Sequence, residues 1–175
     1  MKRNATTSTL FTVLALACLP GCGSGGGTSP DGGGGGGGAT GSGNFTWKDG
    51  ATLHTALFAS GSRVKSASLD LVQITGSDSG SGVSFGVTLM PPPLVTGSYA
   101  CSDNGAGTGR TVSIDYTVGG ASSLAPTCAI TMTTLGDATG TKVSGTFSAT
   151  VPFSDGTTRT ITEGKFDVSL TVSSI

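Results

Sequence analysis

The segment from Asn44 to Ile175 predicts an all-β fold, an antiparallel β-sandwich of eight or nine strands with a β-barrel as the alternative. Three observations carry this. Apolar and polar residues alternate with period two over several stretches of about nine residues. Thr and Val are abundant where those stretches fall, and turn dipeptides separate them. No amphipathic helix of useful length can be drawn.

In "VSFGVTLM", Val83, Phe85, Val87 and Leu89 share one face, with Ser84, Gly86 and Thr88 on the other. "RTVSIDYTV" places Val112, Ile114, Tyr116 and Val118 inward against Ser113, Asp115 and Thr117. "KVSGTFSATV" offers Val143, Phe147, Ala149 and Val151, with Gly145 in register. "GKFDVSLTV" offers Phe166, Val168, Leu170 and Val172. One apolar and one wet face imply antiparallel pairing. Asp49-Gly50 and Asp155-Gly156 read as hairpin turns, and Gly105–Gly109 and Gly119-Gly120 as further turns. Pro91-Pro92-Pro93 cannot occupy a central strand and breaks the chain after Met90.

The remaining residues divide into 1–21 and 22–43. Lys2 and Arg3 precede an apolar run, Leu10 to Leu19, about half the length of a spanning helix, so Met1–Gly21 reads as an export signal. Leu19-Pro20-Gly21-Cys22 resembles the bacterial lipobox, in which a Leu three places before the cysteine and a small residue just before it mark the cleavage point. That resemblance implies that Cys22 becomes the new N-terminus and carries a thioether-linked diacylglycerol, usually with an amide-linked acyl chain. Cys18 competes less well, since Ala15 stands three places before it and it lies inside the apolar run. The alternative is an ordinary secretory signal that leaves a free thiol. Two or three acyl chains anchor stably where one does not, so the expected partner is a lipid bilayer. The resemblance further implies the outer membrane of a Gram-negative cell, because Gly23 and not Asp follows the cysteine.

Gly23–Gly43 holds 13 glycines in 21 residues. Such a sequence cannot bury apolar surface, and the expectation is a flexible tether with a span of roughly 25 Å. A phosphate-cradling loop is excluded, because no strand precedes the glycines and no Lys-Ser or Lys-Thr follows.

Cys101 and Cys128 are the pair left over, and in an exported chain they read as a disulfide. Cys128 shares its face with Ile130 and Met132, which puts the bond near the core. A metal site would need more ligands than two cysteines and one distant histidine.

The C-terminal half resembles a family of uncharacterised bacterial lipoprotein domains common in Bacteroidetes. The shared positions are Gly97-Ser98-Tyr99, Val143-Ser144-Gly145-Thr146-Phe147 and the final strand from Ile161 through Val168. The resemblance covers about residues 97–172 and implies an all-β envelope domain with no established activity.

Composition excludes some classes. Without Lys2 and Arg3, seven of the nine basic residues face ten acidic ones, a net of about −3, and no basic stripe suits nucleic acid. No cofactor motif is present. His54 is the only histidine, no Gly-x-Ser-x-Gly occurs, and carboxylates stand singly, so no catalytic residues are assigned and the expectation is a non-enzymatic module. Asp78-Ser79-Gly80 and Asp103-Asn104-Gly105 lack the spacing of a calcium loop and read as turns. Trp47 reads as core, and the Asn44-Phe45-Thr46 sequon as chance. A barrel holding a small solute and a hydrolase built on His54 remain as alternatives; an internal cavity would favour the first, and His54 bonded to an Asp beside a Ser the second.

Overall fold

The computed structural model describes residues 44–89, 92–101 and 109–175. Residues 1–43, with the expected export signal, Cys22 and expected tether, lie outside the described residues, as do Met90-Pro91 and residues 102–108. The described chain is almost entirely strand: β1 (Asn44–Asp49), β2 (Thr52–Thr55), β3 (Phe58–Lys65), β4 (Asp70–Ser77), β5 (Ser81–Leu89), β6 (Gly97–Ala100), β7 (Arg110–Val118), β8 (Ala121–Leu124), β9 (Thr127–Leu135), β10 (Lys142–Pro152) and β11 (Thr158–Ser174).

Nine of these lie on one hydrogen-bonded path, β6-β9-β10-β11-β3-β4-β5-β7-β8, which curls into a half-barrel, while β1 attaches to β11 and β2 to β1. The fold is all-β as the alternation requires. Its strands number eleven because β2, β6 and β8 are four-residue edges too short to show a period. The two flanks of the curl face each other across one apolar core, the packing of a sandwich achieved without cutting the sheet. Phe85 of β5 meets Phe147 of β10 and Phe166 of β11 with ring centroids 5.3 and 5.0 Å apart, and Phe45 of β1 lies 5.3 Å from Phe147.

The predicted inward faces are buried. Val83, Phe85, Val87, Val112, Ile114, Tyr116, Val143, Val151, Phe166 and Val168 are at most 2% exposed. Val118 and Val172 pack at the margin. Hairpin turns fall at Asp49-Gly50, Gly119-Gly120 and Asp155-Gly156. Gly119 and Gly120 both have positive φ, 57° and 84°, in the two-residue link between β7 and β8, the twist that antiparallel strands favour.

Two features depart from a plain antiparallel alternation. β11 is 17 residues long and serves two neighbours on one side: β1 along Ile161–Asp167, then β3 along Leu170–Ser174 in the one parallel pairing among the described strands. Midway it carries a bulge. Glu163 has φ 49°, and the register shifts there against both β1 and β10. The extra residue moves the inward phase from odd to even positions, so Ile161 and Phe166 are both buried. Gly164 follows because the Phe147 carbonyl oxygen would lie 2.5 Å from any Cβ there.

Candidate functional site

Two polar clusters sit at opposite ends of the β3–β4 hairpin. The first gathers His54 of β2, Asp78 of the β4–β5 turn and Ser81 at the start of β5. β2 lies beside β1, pairing His54 with Trp47, and the imidazole stacks on the indole at 5.0 Å with planes 7° apart. His54 Nδ1 is 2.6 Å from Asp78 Oδ2. Asp78 Oδ1 accepts the amides of Gly80 (2.9 Å) and Ser81 (2.6 Å) and the Ser81 hydroxyl (3.0 Å). Desolvation works against the Asp78 charge, but the Gly80 amide, His54 and Ser81 outweigh it, and its pKa falls well below the ordinary carboxylate range. The group is a carboxylate, so Nδ1 donates to it.

This assembles a Ser, a His and an Asp, which residue spacing did not foretell. Its geometry differs from a proton relay. In a relay the carboxylate holds one ring nitrogen and the serine faces the other. Here Ser81 Oγ also lies on Nδ1, at 3.2 Å, and gives its own hydrogen to Asp78. The serine therefore faces an N–H and not a basic lone pair. The cluster ties β2 to the β4–β5 turn. Asp78-Ser79-Gly80 is the backbone-bonded turn its residues suggested. Trp47, the neighbour of His54, is fully buried, with Nε1 lacking a hydrogen-bond partner. Tyr116, also buried, donates its hydroxyl to Asp49 at 3.1 Å.

The second cluster was missed at the sequence level. Arg63 and Asp70 are buried and form a two-pronged pair, Nε to Oδ1 at 2.9 Å and Nη2 to Oδ2 at 2.7 Å. Arg63 Nη1 reaches the Gly136 carbonyl (2.8 Å) and Asp137 (2.6 Å), and Asp70 accepts the Leu94 amide (2.9 Å). The hydrogen bond from Arg63 lowers the Asp70 pKa against opposing desolvation, and the same bond raises that of Arg63. The donors and acceptors are spent on one another and on two passing loops, so the pair acts as a lock. The signal was present: Ala59, Gly61 and Arg63 share one phase of β3, and Asp70, Val72 and Ile74 one phase of β4, so opposite charges fall on the same inward face of one hairpin.

Cys101 and Cys128 meet at bonding distance with Cα atoms 5.0 Å apart. The register explains it: Tyr99 pairs with Ile130 and Ala100 with Ala129, so the next positions are Cys101 and Cys128, both buried. Tyr99, of the Gly97-Ser98-Tyr99 motif, is buried and donates to the Val95 carbonyl at 2.5 Å.

Aromatic rings of β1, β5, β10 and β11 meet in the core. An open groove of about 330 Å³ lies over Gly86 on an outer face, lined among others by Leu71, Gln73, Ser84, Thr88, Ser113 and Asp115. Cys22, Asp103, Asn104 and Gly105 lie outside the described residues. Among the described residues no three His, Cys, Asp or Glu side chains converge as metal ligands would. Compared with protein-family models, with curated proteins and with solved structures, the chain matches none.

Proposed function

We propose that this chain is a cell-envelope lipoprotein: acylated Cys22 holds it at a membrane, a glycine tether spaces it, and the all-β body acts as a non-enzymatic binding or structural module. The observation that carries the reading is Leu19-Pro20-Gly21-Cys22, placed after a short apolar run and before 21 glycine-rich residues. An apposed Cys101–Cys128 pair suits an oxidising envelope compartment. The resemblance to envelope lipoprotein domains agrees, and Gly23 after the cysteine favours the outer membrane.

Radiolabelled palmitate with membrane fractionation tests the anchor. The native chain and a Cys18→Ser variant should both be labelled and sediment with membranes. Cys22→Ser should lose both properties. A soluble, unlabelled native chain would sink the proposal.

A hydrolase is the second reading, favoured by the juxtaposition of His54, Asp78 and Ser81. The shared Nδ1 argues against it. Activity on activated esters that vanishes in Ser81→Ala would restore it.

A further inference from the structure

Six large apolar side chains are conspicuously exposed among the described residues, and three of them, Leu53, Leu57 and Phe58, fall within six positions of the chain. Leu57 and Phe58 form the corner between β2 and β3 and are 69% and 75% exposed. The corner is not a loose loop. The Ala56 amide donates to the Phe45 carbonyl at 2.9 Å, the Leu57 amide donates to the Ser77 carbonyl at 2.8 Å, and His54 is held by Asp78. A hydrogen-bonded backbone thus carries two consecutive apolar side chains that are exposed to solvent, where isolated exposed side chains would need no explanation.

The position of the corner suggests what covers it. The described chain begins at Asn44, one residue before the Phe45 carbonyl that binds the corner. Asn44 is thus beside Leu57 and Phe58, and 21 residues separate it from Cys22 in the sequence. Glycine-rich composition over that many residues gives an expected span of roughly 25 Å, enough for a body on such a linker to reach the surface that holds its lipid. Tethering also turns a weak contact into an intramolecular one and raises its occupancy without new interactions.

We propose that the Leu57–Phe58 corner is a membrane-docking tip that inserts into the headgroup region of the leaflet carrying acylated Cys22 and so fixes the orientation of the body. The proposal rests on the lipoprotein reading. Its driving force is apolar, since the chain after Gly21 is net acidic and offers no basic patch to anionic lipid. Asp78 and Ser81 take no part in lipid contact; through His54 they hold the corner in place.

The test uses the full lipidated chain in vesicles of phosphatidylethanolamine and phosphatidylglycerol. A polarity-sensitive fluorophore is attached to Leu57→Cys or, as the comparison, to Val95→Cys. Val95 is also exposed but lies beside Arg63 and Lys65 at the other end of β3. The expected result is a blue shift and quenching by chain-nitroxide lipid for the label at 57 and neither at 95. Adding Phe58→Ser should lower the docked-to-undocked ratio about tenfold while flotation with the vesicles persists. A floating chain whose label at 57 stays water-like overturns the docking tip and leaves the anchor intact. A blue shift that grows with protein concentration in the absence of vesicles also overturns it, in favour of a second copy. A native chain that neither floats nor carries lipid overturns the lipoprotein reading and the tip together.

Discussion

The two ends of the β3–β4 hairpin are finished in opposite ways, although the strands between them are eight-residue partners in unbroken register. At the Lys65/Asp70 end a buried guanidinium–carboxylate pair gathers the Leu94 segment and the β9–β10 turn. At the Phe58/Ser77 end a largely buried His–Asp–Ser cluster pins only the neighbouring turn, and Leu57 and Phe58 are left in solvent. The difference shows what each end must accomplish. Two irregular segments cross the first end, and their backbone groups need partners away from water. The second end lies beside Asn44, where the described residues begin, and its polar groups fix one corner in place.

Removing a lock partner should therefore cost far more than loosening the corner. Arg63→Ala or Asp70→Ala leaves one charge buried and unpaired, and each should lower stability by about 3–5 kcal/mol in denaturant titration. A loss under 1 kcal/mol would show that the pair is not closed in solution. Reduction of Cys101–Cys128, or replacement of both by serine, should cost roughly 3–4 kcal/mol for a separation of 27 residues.

Gly164→Ala must displace the Phe147 carbonyl and should cost about 1–3 kcal/mol, which the melting temperature would report. Acid sharpens the comparison further. Asp70 and Asp78 both have lowered pKa values in the folded state, so the unfolded chain binds protons first as pH falls. Their contribution should be complete above about pH 5 and lost progressively below pH 4, and Asp78→Asn should flatten part of that slope. The smallest effect belongs to His54→Gln, about 1 kcal/mol, with faster amide exchange confined to the β2–β3 corner.

Strands with strict alternation were legible in the sequence, because β5, β7 and the second half of β11 each bury one face against the same core. The bulge at Glu163 was not, since nothing local distinguishes a residue with positive φ until Phe147 and Trp47 are brought against it. Arg63 hid for another reason: an inward charge breaks the rule that polar residues face water, and only its cross-strand partner makes the burial tolerable. His54 stood out only as a lone histidine and Asp78 only as a turn residue, and Ser81 was not singled out at all. Their meeting depends on how β2 folds back along β1, a tertiary fact without a spacing signature.

The account stands most directly on the chemistry of Cys22. Mass spectrometry of the N-terminal peptide, taken from the membrane fraction of the native cell, reads it in one step. The predicted result is a chain that starts at Cys22 with a diacylglyceryl group on Sγ and an acylated amine. A peptide that starts at another residue, or one in which Cys22 is a free thiol, would contradict it.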